Sequence, residues 1–184
     1  MFIKIDDLNI SYDKKGSGEE ILILHGWGTS LESFRGVIDD LSMTNTVYAI
    51  DFPGFGMSDE PKTPWDVKDY ASFTKKFIDA MNMKNPVLLG HSFGGRVSIV
   101  LSSQHHFDKM ILAGCAGIKP ARSIKYYGKV YTYKTIKHMS RVFPFNFILK
   151  DFMSLYKSKA GSSDYKAASD MMKKVFIRVI NEDL

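Results

Sequence analysis

The chain has 184 residues, 45% of them hydrophobic and 24% charged, proportions that suit one domain with a real core and exclude an intrinsically disordered chain. Its net charge of +5 is not a nucleic-acid tail, because Lys and Arg interleave with Asp and Glu over residues 1–110 and the excess lies mainly between Lys119 and Lys174. The single cysteine, Cys115, excludes an internal disulfide, Met1–Asp7 carries Lys4, Asp6 and Asp7 where a secretory leader needs an apolar run, and no stretch approaches the roughly 20 apolar residues of a membrane span. A reducing, cytoplasmic setting without a nucleic-acid partner is the resulting expectation.

Phe2–Asp6 and Leu8–Tyr12 alternate at period two, and Lys14–Gly18 supplies a Gly/Ser turn, so the chain is expected to open with a small antiparallel hairpin. The character then changes. Ile21–Leu24, Val47–Ile50, Val87–Leu89 and Met110–Ala113 are continuous apolar runs, as strands are when helices cover both faces of a parallel sheet. Between them Val67, Tyr70, Ala71, Thr74, Phe77, Ile78 and Met81 share one helical face after Asp66, and Pro86 bars that helix from the next strand. Alternating strands and helices predict a doubly wound, mostly parallel α/β sheet, with its chemistry in the loops at His25, Asp51, Gly90 and Gly114. After Ile118 come aromatic, basic, helix-like segments over 122–141, 145–157 and 163–181. They divide the chain into a core over residues 1–118 and a helical cap over 119–184.

Gly90-His91-Ser92-Phe93-Gly94 follows the strand at Val87–Leu89 and opens a helix-like run, Gly95–Leu101. A serine between glycines is a weak signal alone. At a strand-to-helix turn it becomes specific, because a turn sharp enough to strain the serine's backbone needs glycines where other side chains clash. The following helix also offers unpaired N–H groups and the positive end of its dipole to charge developing near Ser92. His25-Gly26-Trp27-Gly28 ends the preceding core strand, where this chemistry wants backbone N–H groups aimed at an oxyanion; Trp27 and Phe93 are the two donors expected. His25, Gly26 and Phe52 are expected to contact substrate. The Pro/Gly turn Asp51-Phe52-Pro53-Gly54-Phe55-Gly56-Met57-Ser58-Asp59 reads as a buttress for the elbow and a pocket wall, not as a source of catalytic carboxylates.

Together, and in this order, these three segments resemble the α/β-hydrolase family, over the core from about Ile5 to Ile118 and on into the cap-like insert. The resemblance implies that Ser92 is an acylated nucleophile, that Trp27 and Phe93 form the oxyanion hole, and that no cofactor or metal takes part. The first motif looks like that of small cofactorless carboxylesterases, including the methyl-ester hydrolases of biotin synthesis. A serine at the elbow argues against members with an aspartate nucleophile, such as dehalogenases and epoxide hydrolases. The substrate class implied is a small acyl or ester compound, while acyl transfer, C–C bond hydrolysis, a lyase reaction and a noncatalytic binding role stay open.

The chain departs from the family in one respect. The acid and the histidine that follow the nucleophile in family members, beyond the cap, are not found before Leu184, so the chain reads as a truncated hydrolase that is inactive alone. His91 is expected to point away from Ser92, His105 and His106 lie past the next helix, His138 lies in the cap, and His25 occupies a structural position. An uncovered sheet edge is the expected consequence, with self-association through it. In the cap, Tyr126, Tyr127, Val130, Tyr131, Tyr133, Ile136 and Met139 are interspersed with Arg122, Lys125, Lys129, Lys134, Lys137 and Arg141. That pattern fits a lid lining an acyl pocket, or a basic face for an anionic membrane or acidic carrier.

Overall fold

A computed structural model describes residues 1–115, 128, 131 and 168–182. Six strands form one sheet: β1 (Phe2–Ile5), β2 (Leu8–Lys15), β3 (Glu19–Leu24), β4 (Asn45–Ile50), β5 (Val87–His91) and β6 (Met110–Ala113), in the spatial order β1-β2-β4-β3-β5-β6. β1 pairs with β2 and β2 with β4 antiparallel, whereas β4, β3, β5 and β6 run parallel. The opening hairpin is therefore stitched to the side of a parallel sheet. The apolar runs of β3, β4 and β5 are buried because elements cover both sides, whereas that of β6 is exposed. On one face Ile21, Ile23, Val47 and Ala49 pack under Leu31 of a 3₁₀ turn (Leu31–Phe34) and Ile38 of α1 (Arg35–Leu41). On the other, Leu22, Leu24, Tyr48 and Ile50 meet α2 (Val67–Ala80) and α3 (Phe93–Gln104).

α2 starts where the sequence says it should. The Asp66 side chain accepts from the Lys68 and Asp69 N–H groups, and the Asp69 carboxylate accepts from the Asp66 N–H in return, a reciprocal cap. Its buried face, Val67, Tyr70, Ala71, Phe73, Thr74, Phe77 and Ile78, follows the 3.6-residue period. Burying such large side chains stabilises by about 1.5–3 kcal/mol apiece before chain entropy is counted.

The register of the parallel strands positions everything that follows. Leu24 pairs with both Ile50 and Gly90, and Gly90 with Leu112. The loops after β3, β4, β5 and β6 thus leave the sheet at one level and along one edge. The chain passes from β3 to β4 on one side of β3 and returns to β5 on the other, so the strand order reverses at β3. A crevice opens at such a reversal beyond the carboxyl ends of the strands.

The chain divides into two compact units, Met1–Ile118 with Ala167–Leu184, and Lys119–Lys166. This corrects the expectation of one cap over 119–184. The last helix, α4 (Asp170–Asn181), belongs with the core: Met172, Val175 and Val179 are 3%, 0% and 4% exposed within the main hydrophobic cluster. Their spacing gives the helix one apolar face, and the same stripe serves a lid or a core helix equally well. The helical segments expected over 122–141 and 145–157 lie outside the described residues, Gly128 and Tyr131 excepted. Among the described residues no helix is long and apolar enough to cross a membrane. Among the described residues β6 is the outermost strand, with Met110, Ile111 and Leu112 exposed at 37%, 52% and 41%.

Candidate active site

Ser92 stands between β5 and α3 with φ 50° and ψ −107°, a left-handed backbone that costs a non-glycine residue about 1–3 kcal/mol and persists only where its surroundings impose it. The surroundings do so. The Ser92 N–H donates to the Ala113 carbonyl at 2.9 Å, holding the turn to the end of β6. The flanking glycines are required by contact: a Cβ on Gly90 would lie 2.6 Å from Ser98 Oγ and 2.7 Å from the Gly95 Cα, and one on Gly94 2.0 Å from the Leu24 carbonyl oxygen. α3 thereby sits hard against β3 and β5, with its N-terminus beside Ser92. The Ser92 side chain is half-buried, and among the described residues its hydroxyl makes no hydrogen bond.

The loop after β3 comes directly against this turn. A Cβ on Gly26 would lie 3.5 Å from Ser92 Cβ and 2.9 Å from His91 Nδ1, so the sequence brings together a glycine loop and a strained serine some 66 positions apart. Trp27 is next in that loop, and Phe93 is the first residue of α3, whose leading N–H groups have no acceptor within the helix. Among the described residues neither the Trp27 nor the Phe93 N–H is given to an acceptor. Their side chains pack together at 5.6 Å between ring centroids, which joins the two loops through apolar contact as well.

Two of the residues expected to contact substrate lie in the core. His25 and Phe52 are both fully buried. His25 Nε2 accepts from the Phe52 N–H at 3.0 Å while its Nδ1–H donates to the Gly26 carbonyl at 2.7 Å, which uses both ring nitrogens and ties the first loop to the second. Burial pushes the His25 pKa down, so the ring is neutral and has no free nitrogen to take a proton from Ser92. Phe52 fills the core, edge-on to His25, Tyr70 and Phe93. Gly26 is also buried and acts by permitting the approach to Ser92.

Asp51 and Asp59 are buttresses. Asp51 is 2% exposed, accepting from the Leu31 N–H at 2.8 Å and the Met57 N–H at 3.0 Å, so one carboxylate ties the end of the first loop to the interior of the second. Asp59 accepts from the backbone and side-chain amides of Asn9. Of the other histidines, His91 packs on Phe34, with ring centroids 5.9 Å apart, and sits beside Gly26 and Gly114. His105 and His106 lie beyond the far end of α3, about 18 Å along the helix from Ser92. His138 lies outside the described residues. An open cleft of about 440 Å³ is lined by Gly28, Thr29, Ser30, Ser33, Gly54, Phe55 and Gly56. Ser92 is not among its lining residues. Among the described residues no group of acidic, His or Cys side chains is arranged to hold a metal.

A glycine-flanked serine at the strand-to-helix turn of a parallel sheet, met by the preceding strand's glycine loop, is the arrangement of one large family, and the model of the alpha/beta hydrolase fold matches residues 20–125. The chain belongs to this family. Among characterised relatives of this α/β hydrolase, it is 30% identical over 103 residues to a 2-(acetamidomethylene)succinate hydrolase of Mesorhizobium japonicum, covering 56% of this chain and 37% of that protein. It is 32% identical over 94 residues to a soluble epoxide hydrolase of Corynebacterium, covering 51% and 33%. Among solved structures, an esterase from Exiguobacterium antarcticum superposes with a TM-score of 0.66 at 24% identity, covering all of this chain and 74% of that one, a likeness of fold. The chain spans about a third of the length of the curated relatives it matches.

Sequence reasoning missed what lies on the far side of Trp27. Phe176 of α4 packs on the Trp27 ring at 5.1 Å between centroids, Arg96 Nη2 donates to the Glu182 carbonyl at 2.7 Å, and the Glu182 carboxylate accepts from the Val67 N–H at 2.8 Å. The apolar stripe of α4 is legible in the sequence; its docking place is not.

Proposed function

We propose that the protein is a serine hydrolase of carboxylic esters or related acyl substrates, with Ser92 as nucleophile. The observation that carries this reading is the strained Ser92 backbone facing Gly26 of the loop after β3. Strain of this kind persists where the surrounding structure over-determines it and a side chain must be presented at a fixed point. In this mechanism the Ser92 hydroxyl attacks the substrate carbonyl, the Trp27 and Phe93 N–H groups stabilise the oxyanion, and water releases the acyl group. A histidine and an Asp or Glu outside the described residues complete the proton relay, since a serine hydroxyl is a poor nucleophile at neutral pH without a base about 3 Å away. Because Ser92 stands at the elbow, the reading separates this chain from family members built on an aspartate nucleophile. The lone cysteine fits a reducing, cytoplasmic setting.

The test is labelling with a fluorophosphonate, which reacts with an activated serine. The full-length protein is expected to be labelled at Ser92, and the Ser92→Ala variant not at all. A folded full-length protein that stays unlabelled at Ser92 while a reference serine esterase reacts would remove the reading.

A further inference from the structure

Trp27 is held on three sides. Its ring meets Phe55 at 4.8 Å, Phe93 at 5.6 Å and Phe176 at 5.1 Å between centroids, two of them edge-to-face and the third tilted. Phe55 belongs to the loop after β4, Phe93 to the start of α3 and Phe176 to α4, so three different elements converge on one indole. Gly26, just before Trp27, lies against Ser92. Whatever moves the indole therefore moves the backbone beside the serine.

The α4 helix that brings Phe176 is anchored at both ends. At its start Ser169 caps it, accepting from the Met172 N–H at 3.1 Å while its hydroxyl donates to Glu60 at 2.9 Å. Near its end Arg178 donates to the Pro64 carbonyl at 2.7 Å, and beyond it Glu182 is gripped twice, through its carbonyl by Arg96 and through its carboxylate by the first N–H of α2. Arg96 sits one turn into α3, the helix that starts immediately after Ser92. Among the described residues its buried Nε has no hydrogen-bond partner. Among the described residues the guanidinium's hydrogen bond is the one to the Glu182 carbonyl.

We propose that Phe176 and Arg96 are positioning residues of the Ser92 site: Arg96 latches α4 to α3, and Phe176, carried by α4, fixes the Trp27 loop so that its N–H stays aimed at the developing oxyanion. The proposal rests on the hydrolase reading for its consequence in turnover, but the latch itself is a property of the fold. Phe176 acts through Trp27. Its loss is felt in the chemical step because a loop displaced by about 1 Å costs on the order of 10²-fold in rate.

The sequence contains two tryptophans, Trp27 and Trp65, so the full-length protein carrying Trp65→Phe reports, within this chain, on Trp27 alone. In that background Phe176→Ala is expected to shift Trp27 emission to the red and raise its quenching by acrylamide, and Arg96→Met to do the same. Ile177→Ala, at an exposed position of the same helix, leaves emission unchanged and controls for general loosening of α4. With a short p-nitrophenyl ester, Phe176→Ala is expected to lower kcat about 10- to 100-fold with KM nearly constant, and Phe176→Tyr, which keeps the ring, to retain wild-type kcat. A changed KM or acyl-length preference at constant kcat makes Phe176 a pocket wall and overturns the proposal. If the unmutated protein hydrolyses no ester, the hydrolase reading fails separately, and the emission of Phe176→Ala alone decides: a red shift supports the latch, an unchanged spectrum refutes it.

Discussion

The backbone of Ser92 makes an unusual prediction, because the proposed nucleophile is also a residue that the fold holds under strain. Replacing Ser92 by Ala removes the hydroxyl but keeps a Cβ at φ 50°, ψ −107°, so the strain remains. Replacing it by Gly releases about 1–3 kcal/mol of local strain, against about 0.4–1 kcal/mol for the extra freedom of the unfolded chain. The glycine variant is therefore expected to be more stable than the alanine variant by about 1–2 kcal/mol, although both lose reaction with a fluorophosphonate. Urea unfolding of the full-length protein measures it. With a slope on the order of 2 kcal/mol per molar, the two midpoints differ by about 0.5–1 M at equal slope. An alanine variant as stable as the glycine variant, or more so, refutes the argument that the turn imposes strain on Ser92. Equal slopes matter, because a changed slope reports a changed denatured state.

Three further outcomes follow from the same geometry. His25 is buried and neutral with a lowered pKa, so the unfolded chain binds a proton near pH 6.5 that the folded chain refuses; stability present above that pH is lost on acidification, by up to about 1.4 kcal/mol per pH unit until the folded pKa is reached. His25→Asn is expected to flatten that slope between pH 7 and 5.5 in parallel unfolding curves, and an unchanged slope refutes the assignment. Asp51→Ala strands the Leu31 and Met57 N–H groups and is expected to cost about 2–4 kcal/mol, together with slower fluorophosphonate labelling as both loops lose their common tie; a thermal midpoint within error of wild type contradicts it. The outer edge of β6 is expected to associate with other molecules when residues 1–184 are prepared alone, and Ile111→Lys to suppress this, read by sedimentation velocity; a monomeric unmutated chain removes the edge as the cause.

The three loops were legible because each carries its own constraint. Gly90 and Gly94 are demanded by contacts under 3 Å, and the apolar runs of β3, β4 and β5 are those of strands covered on both faces. The complete burial of His25 and Phe52 was not legible. Each stands in a motif that faces the site, yet whether a side chain points into the crevice or back into the core depends on the neighbouring loop, here on the Phe52 N–H meeting His25 Nε2. The number of residues between His25 and Phe52 says nothing of that bond.

By itself, then, the sequence determined the order of strands and helices, the position of the turn at Ser92 and the cap of α2 at Asp66, because each follows from interactions within a few residues: periodicity, glycine sterics and a carboxylate reaching its own helix start. Tertiary structure alone decided that Leu24, Ile50 and Gly90 lie at one level near the carboxyl ends of their strands and that α4 docks on Trp27 through Phe176. It also decided that Arg96 reaches the Glu182 carbonyl 86 residues away. An amphipathic helix states that it needs an apolar partner, but its pattern is the same for every partner, and only the packed chain selects one.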